Sequence, residues 1–282
     1  MKVFKDIPLQ PLPLCPGRRS ADGHFPGGTT MKTPFLLLVF IVLLVVAPPA
    51  FAEEGWHFRL SPYLWFAGLE GDAATIPGSP SAPIDISPSD ALEDTEASFM
   101  IMLDARKGKH GVFADLIYSD VRSDEELIPP PIDLGLRSKS VTTLVTLGYQ
   151  HEFYNREGFV VDAIAGGRFW NVDTELRFAD GLGFLAGQKI SNDESWIDPL
   201  LGAKGRAPLG RSGLYLAGGI AMGGFGIGSD LFYEINANVG YQWNTSIGTT
   251  VGYRMFDVDY ENDGFLYDVR QEGWQLGLTW AF

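Results

Sequence analysis

From residue 53 onward the chain alternates apolar and polar side chains with a period of two, and no stretch there sustains a helical period. Near the end of the chain, Trp274, Leu276 and Leu278 alternate with Gln275 and Gly277. A period of two places successive side chains on opposite faces of a β-strand. The pattern therefore predicts an all-β chain in which each strand carries one apolar face.

Segments of this kind predict ten strands joined by connections of alternating length. The strands cover residues 56–69, 97–107, 111–122, 138–153, 158–173, 196–208, 212–225, 230–244, 247–260 and 266–282. Short turns fall near 108–110, 154–157, 209–211 and 245–246. Longer loops fall near 70–96, 123–137 and 174–195, with a shorter one near 261–265, and the 226–229 connection is short where a long one is expected. An even number of strands with alternating connections is typical of a transmembrane antiparallel up-and-down β-barrel. Eight strands is the alternative count.

Aromatic residues gather at both ends of the apolar faces. One group contains Trp56, Tyr149, Phe159, Trp243 and Trp280, and the other contains Phe66, Phe169, Tyr233, Tyr253 and Trp274. A soluble β-sandwich also alternates, but its apolar faces lie inside. Two aromatic girdles around an apolar band instead indicate a bilayer with two interfaces.

The segment before this pattern has the features of an export signal. The apolar run Phe35–Ala47 is 13 residues long, whereas a transmembrane helix needs about 20. Ala50-Phe51-Ala52 fits the small-x-small rule of signal peptidase, with cleavage between Ala52 and Glu53. We expect 1–30 to be a disordered artefact of start-site choice, 31–52 a signal peptide and 53–282 the barrel. An uncleaved anchor helix is the alternative.

Both ends of the predicted barrel resemble known proteins. The alternating terminal residues are Trp274, Leu276, Leu278, Trp280 and Phe282. They resemble the C-terminal signature of Gram-negative outer-membrane barrels, which the barrel-assembly machinery is known to recognise. The segment 56–71 resembles the first strand of small barrels of the OmpA/OmpW type. The resemblance implies an outer-membrane location and assembly by that machinery. Ten strands depart from the eight of those relatives, so their specific roles are not carried over.

If the apolar face contacts lipid, the opposite face lines the lumen. The charged residues on that face are Arg59, Asp104, Arg106, Asp115, Asp162, Arg168, Asp198, Lys204, Arg206, Glu234 and Arg254. This near balance of bases and acids, in a chain of net charge −14, favours an ion-pair network that fills a closed lumen. The alternative is a charged constriction in a narrow channel, since small residues at 217, 219, 221 and 223 leave room on one wall. Ten strands enclose too little space for a wide porin.

The composition narrows the classes of partner and cofactor. The net charge argues against a nucleic-acid partner, and the single Cys15 excludes a disulfide framework. We assign no metal site, no cofactor and no catalytic residue. The first long loop is uniformly acidic, with Glu70, Asp72, Asp85, Asp90, Glu93, Asp94 and Glu96. We expect a solvated surface next to outer-membrane lipid and lipopolysaccharide; divalent cations that bridge these carboxylates to lipopolysaccharide phosphates are the alternative.

Three histidines remain in the predicted barrel, namely His57, His110 and His151. The predicted topology places all three at the periplasmic end. Barrel proteases and lipases place a histidine near the extracellular rim instead. The sequence therefore predicts a barrel without catalytic activity that serves envelope integrity or surface interaction. A narrow channel for small solutes is one alternative, and a barrel enzyme, a protease or lipase, is the second.

Overall fold

A computed structural model describes residues 55–77, 79–128, 134–179 and 188–282. The strands are β1 (Trp56–Ala74), β2 (Ala82–Ile86), β3 (Thr95–Lys107), β4 (His110–Ile128), β5 (Leu134–Arg156), β6 (Phe159–Ala179), β7 (Lys189–Pro208), β8 (Leu214–Gly224), β9 (Leu231–Gln242), β10 (Ile247–Asn262) and β11 (Phe265–Ala281). One short helix, α1, spans Pro88–Glu93. In the part of the chain described, no helix is long and apolar enough to cross a membrane. The expected signal peptide and its Ala52–Glu53 cleavage site lie outside the described residues.

The strands form a closed antiparallel barrel in up-and-down order. Each barrel strand pairs with its neighbours along the chain, and β11 returns to pair with β1. The lower part of β1 pairs with β3, whereas its residues 69–73 pair with the short strand β2. Ten strands therefore close the barrel and β2 is an additional strand. The all-β class and the count of ten are confirmed, and the alternative count of eight is wrong.

Four strands are much longer than the sequence pattern predicts. β4, β5, β6 and β7 contain 19, 23, 21 and 20 residues, against 11 in β8 and 12 in β9. The loops predicted at 123–137 and 174–195 are therefore largely strand. Likewise, the segment predicted as a loop at 70–96 contains the end of β1, all of β2 and α1. These extensions pass beyond the apolar band, where outward positions no longer need to be apolar, so the alternation that marks a membrane strand is lost.

Two hairpins close through two-residue turns that need left-handed backbone. Glu157 and Gly158 have φ of 53° and 83°, and Asp263 and Gly264 have φ of 47° and 85°. Positive φ at both central residues defines the type I′ turn, whose twist matches that of the flanking strands. The loop predicted at 261–265 is thus a tight turn. This turn joins β10 to β11, so it lies at the same end of the barrel as the long connections.

A continuous apolar belt surrounds the outside of the barrel. Its exposed residues include Leu64, Val112, Leu147, Ile197, Leu201, Leu216, Ile220, Ile235, Val239, Val251 and Leu276. Tyr149, Phe159, Trp243 and Trp280 border it at one end, and Phe169, Tyr253 and Trp274 at the other. Soluble monomers rarely expose a continuous apolar surface of this extent. The belt therefore contacts lipid. In barrels of this type the short turns lie in the periplasm and the longer connections outside the cell.

Candidate functional site: the barrel lumen

The charged residues at the centre of the lumen form a connected network, here called the central network. Glu234 accepts from Arg168 Nη2 at 2.5 Å through Oε2, and its Oε1 lies 2.9 Å from Arg254 Nη2. Arg254 Nη2 is also 3.1 Å from Asp115 Oδ2. The Tyr63 hydroxyl donates to Asp115 Oδ1 at 2.8 Å and accepts from Arg254 Nη1 at 2.8 Å. These residues belong to five different strands, so the central network crosses the lumen.

The central network is enclosed by protein. The side chains of Arg168 and Arg254 are each only 4% exposed, and those of Glu234 and Asp115 are 10% and 6% exposed. Two arginines face two carboxylates, so the formal charges cancel. Buried charges are tolerated when they are paired and hydrogen-bonded in this way.

A second charged cluster lies closer to the periplasmic end. Lys204 Nζ is 2.8 Å from Asp104 Oδ2, between β7 and β3. Arg106 Nη1 donates to Asp162 Oδ1 at 3.0 Å, and the same atom lies 3.5 Å from Glu152 Oε2. Together the two clusters hold eight of the eleven charged residues that the sequence placed on the inner face. Glu152 and Tyr63 join them although the sequence analysis did not select either.

Two of the remaining three residues lie at the periplasmic end of the lumen, and no carboxylate of the described residues is in hydrogen-bond range of either. Arg206 donates to Gln242 Oε1 at 3.0 Å, and its guanidinium lies 3.7 Å from the centre of the Tyr215 ring. Arg59 is exposed on β1, where the lumen opens to water. Water and aromatic faces can both solvate a guanidinium. The expectation that these two arginines join an ion-pair network therefore needs correction.

Asp198 is buried, but its partner is a loop and not a base. Its Oδ1 accepts from the Ser229 backbone N–H at 2.6 Å and its Oδ2 accepts from the Ser229 hydroxyl at 2.7 Å. Trp196 Nε1 donates to the same hydroxyl oxygen at 2.9 Å. Asp198 thus anchors the connection between β8 and β9 to β7. Its assignment to the lumenal ion network is wrong, because two short donors from one loop residue satisfy the carboxylate.

Aromatic side chains fill the lumen on the extracellular side of the central network. Rings contact one another in the order Trp65, Phe256, Trp170, Trp196 and Tyr260, with centroid separations of 5.4, 5.6, 5.3 and 3.9 Å. All five are buried, and the series passes from β1 across the barrel to β6 and β7. This set is called the aromatic layer below. The period-two pattern did not predict this layer, because apolar residues were assigned to the lipid-facing side only.

The aromatic layer and the central network are in direct contact. The Arg254 guanidinium lies 5.3 Å from the Trp65 ring centre and the Arg168 guanidinium lies 5.7 Å from that of Trp170. A cation over an aromatic face is attracted by the ring quadrupole, more strongly where water is excluded. The room expected beside Gly223 is also occupied, since the Phe232 ring fills the space that a side chain there would take.

Above the belt, the long strands β4 to β7 form a sheet with paired charges, called the extracellular sheet below. Within it, Lys139 lies 3.3 Å from Asp120 and Lys189 lies 2.7 Å from Glu175, and Arg122 at its edge pairs with Glu96 of β3 at 2.6 Å. From β10, the Tyr260 hydroxyl donates to Glu194 Oε1 on β7 at 2.7 Å. Burial, reinforced by the Glu194 carboxylate, raises the pKa of Tyr260.

Carboxylates also stand side by side on the outward face above the belt. Asp268 is the register partner of Asp259 on one side and of Asp72 on the other. Partial burial, together with the charges of Asp259, Asp257 and Asp72, raises the pKa of Asp268. Within the described ranges, no group of three or more His, Cys, Asp or Glu side chains is placed to hold a metal ion.

The closed barrel, its lipid-facing belt and its filled interior define the class of protein. The chain is a small outer-membrane β-barrel, and it lies in the outer membrane of a Gram-negative bacterium. No family model and no curated protein matches the sequence.

Several solved structures share the architecture at low identity. The outer-membrane protease OmpT from Escherichia coli is 11% identical with a TM-score of 0.45, covering 82% of this chain and 98% of its own. The transport unit of the autotransporter AIDA-I from Escherichia coli is 6% identical with a TM-score of 0.41, covering 87% and 97%. Ail, the attachment invasion locus protein of Yersinia pestis, is 11% identical with a TM-score of 0.34, covering 81% and 99%. These likenesses concern the fold alone.

Proposed function

We propose that the protein is a closed, non-catalytic barrel that serves envelope integrity or surface interaction by presenting its extracellular sheet above the membrane. The observation that carries the proposal is the Glu234 carboxylate, which joins Arg168 and Arg254 across the lumen under a layer of buried rings. Conduction would require water and ions to pass both levels. A barrel that does not transport solutes can fill its lumen with side chains in this way.

The uneven strand lengths support a role at the cell surface. Beyond the belt residue Phe169, β6 continues for ten residues to Ala179, which is about 30 Å along the strand. β8 and β9 end close to the belt, whereas β10 and β11 also extend well beyond it, so the barrel wall is lowered at β8 and β9. A rigid sheet with exposed charged pairs is a surface on which a polar partner can bind with little ordering cost.

Planar-bilayer recordings test the closed lumen. The purified barrel should give no stepwise current at moderate voltage, whereas the alternative function, a narrow channel for small solutes, requires steps with a reproducible conductance. Peptide and phospholipid hydrolysis assays test the remaining alternative, a barrel protease or lipase. The described histidines His57, His110 and His151 all lie at the periplasmic end, away from the extracellular sheet, and we expect both hydrolysis assays to be negative.

We also propose two envelope partners. Outward residues just above the belt, including Asp268 and Arg270, face the level at which lipopolysaccharide carries its phosphates, and a divalent cation can bridge carboxylate to phosphate through oxygen ligands. Lipopolysaccharide with Mg²⁺ should therefore raise the unfolding midpoint more than lipopolysaccharide with EDTA. The second partner is the barrel-assembly machinery, for which the outward-facing terminal residues Trp274 to Phe282 are the proposed signal.

A further inference from the structure

Two histidines face each other across neighbouring strands at the periplasmic end of the barrel. His110 is the first residue of β4, and its register partner on β5 is His151. Their Nδ1 atoms are 3.4 Å apart, and their ring centroids are separated by 4.8 Å at an interplanar angle of 48°. The two residues are 41 apart in sequence, so only strand pairing brings the rings together.

The separation of the two nitrogens suits a tetrahedral metal ion. Zn²⁺ binds imidazole nitrogen at about 2.0–2.1 Å, and two such bonds at the tetrahedral angle place the nitrogens about 3.4 Å apart. His110 and His151 hold their Nδ1 atoms at that separation already. Imidazole is a preferred ligand of Zn²⁺, Cu²⁺ and Ni²⁺, so the chemistry of the pair agrees with its geometry.

The surroundings fix the pair and leave it open to solvent. The Glu152 backbone N–H donates to the Lys109 carbonyl at 2.8 Å, which holds the two strands together beside the histidines. The Tyr149 hydroxyl is hydrogen-bonded to Nδ1 of His110. A metal ion bound by that nitrogen would replace this hydrogen bond. His110 is exposed next to the turn that joins β3 to β4. Water or an outside ligand can therefore complete the coordination of an ion held by two nitrogens.

We propose that His110 and His151 form a two-histidine site for a divalent transition-metal ion, of which Zn²⁺ is the tetrahedral case. The ion would join β4 to β5 at the periplasmic membrane surface and keep two coordination positions for ligands from the periplasm. The site is on the outer face of the wall, separate from the lumen. The proposal of a metal site therefore does not depend on whether the lumen is closed.

Calorimetric titration of the EDTA-treated, refolded barrel with ZnCl₂ tests the site. We expect one ion per barrel in the wild-type protein. Loss of even an outer-shell partner weakens metal binding by about 10–100-fold, so His110→Gln and His151→Gln should each weaken it at least tenfold. His57→Gln is the matched control, because this third histidine lies at the same end on β1, in register with Arg106 and away from the pair. It should bind as the wild type does.

Co²⁺ supplies a readout of geometry. A tetrahedral site should give visible d–d absorption that disappears in the double variant H110Q/H151Q, while heat-modifiable mobility shows that this variant is folded. Absence of binding in the wild type would overturn the proposal. So would binding that persists in the double variant, or a loss in His57→Gln as large as that in the pair variants.

Discussion

Replacing Glu234 by alanine tests whether the central network is a buried structural element or the wall of a watery channel. The substitution removes the carboxylate that contacts both Arg168 and Arg254. Arg254 keeps Asp115 and the Tyr63 hydroxyl, whereas Arg168 keeps only the Thr146 hydroxyl among its hydrogen-bond partners in the described chain. A buried ion pair that loses one partner costs about 3–5 kcal/mol because a charge is left uncompensated. We expect a loss of that size.

A graded series within the same barrel makes the expectation specific. Asp115→Ala leaves Arg254 paired with Glu234, so it should cost less, about 1.5–3 kcal/mol for a hydrogen bond to a charged group. Glu96→Ala removes an exposed partner of Arg122, whose pair is 49% exposed on both sides, and should cost about 0–1 kcal/mol.

Reversible urea unfolding in lipid vesicles, followed by tryptophan fluorescence, measures all three variants on one scale. In planar bilayers each should remain silent. If Glu234→Ala is as stable as Glu96→Ala, the central network is not a buried structural element. Conduction by Glu234→Ala with an ion selectivity that the wild type lacks would show that the lumen is a watery channel.

Three further predictions follow from the belt, the chain end and the outward carboxylates. The folded protein should migrate differently from the boiled protein on gels and give a β-type circular dichroism spectrum, because a closed ladder has no free edge; a helix content above about a third would contradict this fold. Deleting Phe282, whose backbone exchanges two 3.0 Å hydrogen bonds with Phe58, should lower the amount in the outer membrane more than the yield of refolding in detergent; equal losses would mean that it acts through packing alone. Asp268→Asn should raise the unfolding midpoint at pH 7, since a carboxyl whose pKa is raised on folding destabilises the folded state once it is ionised. That gain should vanish near pH 3, where aspartate is protonated in either state, and a gain that is independent of pH would exclude charge repulsion as its cause.

The barrel itself could be predicted because lipid imposes a regular pattern on the sequence. Outward positions between two interfaces must be apolar, so strands such as β9 and β11 are evident from alternation alone. The extracellular extensions of β4 to β7 could not be predicted in the same way. Above the membrane a strand meets water or charged side chains on both faces, so its sequence does not need to alternate. The sequence pattern predicts a loop at Glu175 and Ser191, although the two residues are register partners in a continuous ladder.

The sequence predicts which residues point into the lumen better than it predicts which residues they bind there. Parity identifies which residues point inward, and it places Arg168, Glu234 and Arg254 correctly on that side. It carries no information on which strands face each other across the lumen, so neither the role of Glu234 as a bridge nor the capture of Asp198 by Ser229 follows from it. The His110–His151 pair was hidden for a similar reason, since its geometry depends on the register between two strands.

The order of the two lumenal levels has a physical consequence for what fills the barrel. The aromatic layer lies on the extracellular side of the central network and covers its arginines with Trp65 and Trp170. Rings that exclude water raise the cost of an unpaired charge below them and strengthen the attraction between paired charges. The arginines in turn contact ring faces that would otherwise meet only apolar groups. Because each level increases the cost of disrupting the other, the lumen cannot be opened by moving one side chain. A continuous path through the lumen would require side chains of both the central network and the aromatic layer to move together.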